Sequence, residues 1–352
     1  MASETIRPAA PSSNSGSPCP ASAAVVSSWP HRIACLLVTV TAVLLSFGAL
    51  VTTYEAALAV PDWPATYGHN MLLFPWVEWL TGPWDLFLEH GHRLLGALAG
   101  MVTLALVAVA WRSAVSPAVR WLSVAALLLV VLQGGLGGAR VLLDDKTVAK
   151  VHACTGPLFF AVAVAVAVLS RPRSAGPQTV PSRGAIRSAV ALLLAAYVQL
   201  VAGAQLRHLD GAVEPAAFRT LVGLHVVGAV AVVTLAAVCA AVMRDAGSAP
   251  RRWARVILGI VICQVALGCG AWIVNWGLPA ALLPESWGFA EPIRARSVSG
   301  ATVVTGHVVL GMLILGAAVV LAIESGCLRR PAPAASAGAR RGRGVAAERA
   351  FA

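Results

Sequence analysis

The chain has 352 residues, of which 58% are hydrophobic and only 12% are charged, and its mean hydropathy is +0.79. Soluble domains carry about 25% charged residues, so this composition excludes a soluble globular protein and indicates an integral membrane protein. The net charge of +11 does not indicate a nucleic-acid partner, because no soluble segment clusters basic residues with interleaved aromatic residues.

Eight apolar segments are each long enough to cross about 30 Å of hydrocarbon as a helix. The sequence therefore predicts an all-α integral membrane protein with eight transmembrane helices. A tail rich in Pro, Ser and Ala (1–32) and a basic tail (324–352) are predicted to be disordered. In chain order the segments are 33–53, 88–111, 121–138, 150–169, 188–206, 219–243, 255–275 and 299–322.

The distribution of charge predicts how these helices are oriented. With the N-terminus inside, 18 of the 26 Lys and Arg residues fall on the cytoplasmic side, whereas 11 of the 15 acidic residues fall outside. This is the positive-inside pattern. We therefore predict a multi-pass membrane protein with both termini in the cytoplasm. The membrane that we expect is the plasma membrane of a bacterium.

The first four segments resemble the last four, which indicates two tandem four-helix bundles in a parallel internal repeat. The third segment ends in QGGLGGARVLL (133–143), and the seventh contains QVALGCGAWIV (264–274). The predicted units are an N-terminal half (33–170), a cytoplasmic linker (171–187) and a C-terminal half (188–323).

The two halves differ most in the connection between their first two segments. Residues 54–88 are long, aromatic and Pro-rich, whereas the matching connection at 207–218 is short. A long segment with this apolar content is expected to fold onto the bundle rather than extend into water. It is predicted to form a lid over a site in the first half.

Four histidines near the outer ends of the even-numbered segments are the main site candidates. Histidine inside a membrane is costly unless it is paired or ligated, and facing helices can each supply one imidazole to a heme iron. For any one histidine, the alternative is a hydrogen bond to a Ser, Thr or carbonyl group. Zinc or copper is disfavoured because such sites need a further ligand. We predict two heme-iron sites, formed by His92 with His152 and by His225 with His307.

Several other residues are candidates for supporting roles. Glu89 lies three positions before His92, on the same helix face, and suits proton transfer or hydrogen bonding to a reacting group; the alternative is a favourable position on the helix dipole. Arg93 is the candidate contact for a heme propionate, with snorkelling as the alternative, and Arg207 and Arg219 are the candidates in the second half. The remaining histidines are predicted to be solvated or interfacial: His31, His69, His90 and His208.

From about residue 35 to 323 the sequence resembles the heme A synthase family, whose members convert heme O to heme A. The resemblance is carried by VPDWPATYGHN (60–70), by EHGHR (89–93) and by the histidines of segments 4, 6 and 8. It implies that a heme b cofactor is bound in the C-terminal half by His225 and His307. It also implies that heme O, the substrate, is bound by His92 and His152, and that Glu89 is catalytic.

The reaction implied by the resemblance oxidises one ring methyl group of heme O to a formyl group, for cytochrome oxidase assembly. The implied partners are an upstream heme O synthase, an electron donor that the sequence does not identify, and membrane lipid. Some family members carry a cysteine pair in the first outer loop, which this sequence lacks. Three alternatives stay open: a two-heme b-type electron-transfer protein without heme modification, a duplicated transporter, and a structural assembly factor without heme.

Overall fold

The computed structural model describes residues 28–172, 182–209, 213–277 and 297–327. Within these ranges, eight helices are long and apolar enough to cross a membrane. This confirms the predicted all-α, multi-pass membrane protein. In chain order the helices are α1 (Trp29–Thr53), the short α2 (Trp76–Thr81), α3 (Trp84–Arg112), α4 (Pro117–Leu143), α5 (Lys146–Leu169), α6 (Arg183–Arg207), α7 (Pro215–Val242), α8 (Ser248–Trp276) and α9 (Val298–Glu324).

Proline and capping residues start several helices earlier than the hydropathy pattern predicts. Helix α4 begins at Pro117, and the side chain of Ser116 accepts a hydrogen bond from the backbone N–H of Val119. Helix α7 begins at Pro215. The predicted starts, 121 and 219, are each four residues late. The reason is that proline and serine favour a helix N-terminus, but they add no apolar periodicity.

Each half of the chain packs as a ring of four helices. In the first half, α1 and α4 each pack against both α3 and α5; in the second half, α6 and α8 each pack against both α7 and α9. The order of packing partners is therefore the same in both halves, as a tandem repeat would give. The halves meet where α9 packs against α1 and α5, and where α5 packs against α6.

Polar contacts join the two halves at both ends of the bundle. At the end that carries the predicted heme ligands, the guanidinium of Arg207 donates to the carbonyl oxygen of Ala49 (2.5 Å) and to the hydroxyl of Thr53 (2.6 Å). At the opposite end, the guanidinium of Arg171 forms a 2.6 Å ion pair with the buried carboxylate of Glu324. We call these two contacts the interhalf clamps.

The connection between α1 and α3, which we call the outer loop (residues 54–83), is folded. It contains the antiparallel strands β1 (Ala65–Thr66) and β2 (His69–Asn70), a 3-10 turn at Met71–Leu73, and α2. Its buried residues Val60 and Phe74 pack against Leu86 of α3. The loop therefore has its own small core on α3. It is shorter than the predicted connection, 54–88, because α3 already begins at Trp84.

Candidate functional site

The four predicted heme ligands form two pairs in the structure. The ring centroids of His92 (α3) and His152 (α5) are 6.5 Å apart, with the rings inclined at 76°. Those of His225 (α7) and His307 (α9) are 6.3 Å apart and inclined at 69°. Each half of the chain thus brings together one imidazole from its second long helix and one from its fourth.

This spacing fits two axial ligands on one heme iron. A metal–imidazole bond of about 2 Å, with the ring centre about 1 Å beyond the nitrogen, places two axial ring centroids roughly 6 Å apart. The Nδ1 atoms of His152 and His307 are buried and have no hydrogen-bond partner among the described residues. Two imidazoles at this separation, with unused nitrogen atoms, match the donor set of a bis-histidine heme.

A backbone contact assigns the proton of His92. Its Nδ1 lies 3.2 Å from the carbonyl oxygen of Leu44 on α1. Since a carbonyl oxygen only accepts, Nδ1 carries the hydrogen, and Nε2 keeps its lone pair for a metal. This arrangement fixes both the tautomer and the plane of the ring.

Each of the four histidine rings lies against a glycine of the preceding long helix. A Cβ atom added at Gly48 would lie 2.9 Å from Cε1 of His92, and one at Gly268 would lie 3.0 Å from Cε1 of His307. The corresponding distances to Cε1 are 3.5 Å for Gly137 with His152 and 3.2 Å for Gly203 with His225. A side chain at these positions would meet the imidazole, so the rings occupy space that the glycines leave free. We call these four positions the ligand glycines.

Glutamines one helical turn before the ligand glycines contact the two histidine-bearing helices of the second half. The amide of Gln199 donates to the carbonyl oxygen of His225 (2.9 Å) and also lies 3.1 Å from Nδ1 of that ring. The amide of Gln264 donates to the carbonyl oxygen of His307 (2.9 Å). Gln199, Gly48 and Gly203 were missed in the sequence analysis. Three of the four ligand glycines could have been found from a repeated pattern, a glutamine followed four residues later by a glycine, which occurs at 133/137, 199/203 and 264/268.

Glu89, the predicted catalytic residue, is 5% exposed and is held by the outer loop and by Arg93. One carboxylate oxygen accepts from the backbone N–H of Val60 (3.0 Å), and the other accepts from the guanidinium of Arg93 (2.8 Å). The carboxylate therefore lies at the junction between the outer loop and the helix that carries His92.

Arg93 anchors the outer loop through both terminal nitrogens of its guanidinium. One donates to the carbonyl oxygens of Asp62 (2.6 Å) and Ala65 (3.0 Å), and the other donates to that of Val60 (2.7 Å) as well as to Glu89. All four N–H groups of the terminal nitrogens are used, which leaves only Nε–H for another acceptor. The predicted propionate contact of Arg93 is thus confined to that one atom unless the loop moves, and the contact itself stays a prediction.

The outer loop also reaches α4, on the other side of the first histidine pair. The indole ring of Trp63 lies directly on Gly138, at a distance that leaves no room for a Cβ atom. Gly138 is the neighbour of the ligand glycine Gly137, which faces His152. The loop is therefore anchored on α3 by Arg93 and rests on the adjacent helix α4 through Trp63; its role as a lid stays a prediction.

The prediction that His90 is solvated or interfacial is wrong. Its side chain is 2% exposed. Its Nδ1 lies 3.0 Å from the hydroxyl of Thr66 in β1, and its ring contacts Phe74 and Trp79. The helix geometry correctly points it away from His92, but the folded outer loop covers that face, which helical periodicity alone does not reveal.

The other predicted residues lie apart from the two pairs. His69 is exposed, whereas His31 and His208 are half-buried, and Nδ1 of His31 donates to the carbonyl oxygen of Ala167 (2.9 Å). Arg219 is exposed near the start of α7, and Arg207 is engaged in the interhalf clamp. Their predicted propionate contacts stay predictions.

Asp62 stabilises the tight turn between β1 and β2. Its carboxylate accepts from the backbone N–H groups of Tyr67 (2.9 Å) and Gly68 (2.7 Å). Partial burial by itself would raise the pKa of Asp62, but these hydrogen bonds outweigh it, and the pKa lies below its usual value. The turn that carries β2 is therefore held by an ionised side chain.

Comparison with known proteins finds similarity to cytochrome oxidase assembly proteins over part of the chain. Residues 83–224 match the COX15-CtaA family, described as a cytochrome oxidase assembly protein. The chain is 25% identical over 191 residues to the heme A synthases of Alkalihalophilus pseudofirmus and Shouchella clausii, an alignment that covers 50% of this chain and 61% of each relative. The resemblance to the heme A synthase family is therefore confirmed.

The family match covers one histidine pair and not the other. It includes Glu89, His92, Arg93 and His152, and it ends one residue before His225. The assignment of the second pair thus depends on its geometry and on the likeness between the two halves.

Proposed function

We propose that this protein is a heme A synthase that oxidises the ring methyl group of heme O to a formyl group, for the assembly of cytochrome c oxidase. The observation that carries the proposal is the difference between two otherwise similar histidine pairs. Both have the spacing of axial ligands, but among the described residues, which leave out 278–296 of the second half, only the first lies next to a buried carboxylate held by a folded loop. One half therefore has the groups of a reaction site, and the other has those of a resident cofactor site.

In this proposal His92 and His152 bind the iron of heme O and fix the position of the porphyrin. The hydrogen bond from Nδ1 of His92 to Leu44 orients the ring, and Gly48 leaves the space in which it lies. The outer loop then limits the entry of water, which strengthens electrostatic interactions inside the site. The substrate is held by ligands from two helices that pack against the same neighbours, α1 and α4.

Glu89 is proposed to accept or donate a proton during the oxidation of the methyl group. Its carboxylate is positioned by Arg93 and by the N–H of Val60, so it does not need to reorganise before it acts. Substitution of Glu89 by a residue without a carboxylate would remove both the proton carrier and one anchor of the outer loop.

His225 and His307 are proposed to hold heme b. Bound there, heme b would supply one-electron redox chemistry to the first half. Residues of the C-terminal half would hold the heme in place. Gln199 and Gln264 contact the two helices that carry His225 and His307, and Gly203 and Gly268 leave room for the two imidazole rings.

Pigment analysis tests the proposal directly. Co-expression of the full chain with a heme O synthase should yield heme A in the extracted pigments, and the purified protein should show a b-type pyridine-hemochrome spectrum. His225→Ala or His307→Ala should lose the stably bound b-type heme or its six-coordinate spectrum, because each variant removes one of the two axial ligands. A protein that binds heme but yields no heme A would instead support the second candidate, a two-heme electron-transfer protein, which the similar spacing of the two pairs also favours.

The proposed location is the plasma membrane of a bacterium, with both termini in the cytoplasm. The charge distribution of the sequence supports this orientation. Reporter fusions after residue 172 and within residues 278–296 should report the cytoplasmic and outer sides, respectively. The opposite result would overturn the orientation and leave the heme chemistry untouched.

A further inference from the structure

A groove lies between α7 and α8, at the end of the bundle opposite the histidine pairs. Its volume is about 710 Å³, and its lining includes three arginines, Arg244, Arg251 and Arg255. The rest of the wall is apolar and includes Ala237, Ala240 and Ala241. We call it the arginine groove.

The charge in the arginine groove is not neutralised within the described parts of the chain. The side chains of Arg244, Arg251 and Arg255 are exposed. None of them forms an ion pair or a side-chain hydrogen bond with another described residue. Three cations that converge on one concavity attract an anion far more strongly than three separate surface charges do.

The N-terminus of α8 adds to this positive field. The helix begins at Ser248, and its N-cap residue, Gly247, has no side chain to accept from the N–H groups of Ser248 and Ala249, whereas Pro250 has no N–H group. Unpaired N–H groups and the helix dipole favour an anion at such a helix end. Arg251 lies in this first turn, so the two effects act on the same part of the groove.

The apolar wall indicates what kind of anion fits. Helices α7 and α8 are both membrane-spanning, and the alanines lie on α7 toward the membrane interior from Arg244. The small alanine side chains leave room in the groove for an acyl chain, which would also contact Leu258. A small soluble anion would contact the arginines only, and the apolar wall would have no apolar ligand to pack against.

We propose that the arginine groove binds one anionic phospholipid, with its headgroup phosphate on Arg244, Arg251 and Arg255 and an acyl chain along the alanines. Basic pockets between transmembrane helices are a recurring form of anionic lipid site. The positive-inside pattern accounts for arginines on this side of the membrane, but not for their convergence on one groove. Arg252 illustrates the difference, because it is exposed on the same helix and does not line the groove.

The test compares lipid binding by the full chain and its variants in detergent, by native mass spectrometry. The probes are phosphatidylglycerol and phosphatidylcholine with identical acyl chains. We expect phosphatidylglycerol to bind more tightly, and the double variant Arg251→Gln/Arg255→Gln to weaken its binding by about 25-fold, roughly fivefold for each arginine. The matched control, Arg252→Gln, should change it less than twofold.

Two further arms test the acyl chain and the source of the phosphate. Ala237→Trp fills the apolar wall and should weaken lipid binding while all three arginines remain. Inorganic phosphate at the same concentration should not displace bound phosphatidylglycerol. An unchanged thermal midpoint in each variant shows that the fold is intact.

Several results would overturn this assignment. Equal binding of the two lipids, or an equal loss in the Arg252→Gln control, would show that only general surface charge is involved. Displacement by inorganic phosphate would show a site for soluble anions, and full lipid binding by Ala237→Trp would show that no acyl chain lies along the alanines. None of these outcomes depends on heme content, so they leave the proposed function to be judged separately.

Discussion

Replacing the ligand glycine Gly268 by alanine should weaken heme binding in the C-terminal half without unfolding it. The new methyl carbon would lie 3.0 Å from Cε1 and 3.5 Å from Nδ1 of His307. Since carbon–carbon contacts settle near 3.5–4.0 Å, the ring must move by about half an ångström or more. Ligand positions tolerate deviations of only about 0.5 Å.

The two energetic effects of Gly268→Ala partly cancel for the fold itself. Alanine favours a helix over glycine by about 1 kcal/mol, whereas overpacking costs about 1–3 kcal/mol. The net cost of about 0–2 kcal/mol should lower the thermal midpoint of the heme-free protein by a few degrees at most. Heme affinity has no such compensation and should fall about 10- to 100-fold, as when residues that orient a metal ligand are changed.

The assay measures heme per polypeptide and the reduced b-type spectrum of the purified full chain. Electron paramagnetic resonance adds a direct readout, because its g-values respond to the angle between the imidazole planes, which is 69° for His225 and His307. Gly259→Ala is the control, since it lies on the same helix and a Cβ there meets no atom within 4 Å. Normal heme affinity and g-values in Gly268→Ala, or an equal loss in Gly259→Ala, would refute the role of the ligand glycine.

Three further predictions concern the outer loop and its anchors. Glu89→Gln should suppress heme A formation while the b-type spectrum of the other half persists; full turnover would remove Glu89 from the mechanism. Arg93→Ala leaves the Glu89 carboxylate buried and uncompensated at a cost of about 3–5 kcal/mol, so proteolysis of the loop should accelerate, and resistance equal to that of the unmodified protein would contradict the anchoring. The pKa of Asp62 lies below its usual value. Its hydrogen bonds to Tyr67 and Gly68 therefore stabilise the turn fully at any pH above the usual pKa of an aspartate. This stabilisation is lost as pH falls through the lowered pKa; tryptophan fluorescence should report the change, and Asp62→Asn should abolish it.

Hydropathy and histidine placement were enough to predict the helices and the pairing of the four histidines. The eight candidate membrane-spanning helices of the described residues fall where apolar length predicts them to within several residues, and His92 lies near His152 as their depth in the bundle suggests. Both features depend on one-dimensional patterns, namely apolar length and distance from a helix end. Such patterns survive folding because the membrane imposes one common axis on all the helices.

Contacts made by the folded outer loop were beyond the sequence pattern. The position of His90 on the helix face away from His92 predicts a solvated or interfacial side chain, but Thr66, 24 positions earlier, contacts it. Arg93 was assigned to a propionate, yet its terminal nitrogens bind loop carbonyl oxygens. Backbone acceptors have no residue signature, so a sequence does not reveal which of them a buried guanidinium will reach.

The interhalf clamps bear on how this protein can work. A carrier that alternates between two open faces has to rock one repeat against the other, which means parting the halves first at one end and then at the other. Here Arg207 joins the halves at one end, and Arg171 joins them through Glu324 at the other, so rocking in either direction breaks a partly buried polar contact. The arrangement favours a fixed separation between the two proposed iron sites over the passage of a solute, and a constant gap is what electron tunnelling between two centres requires.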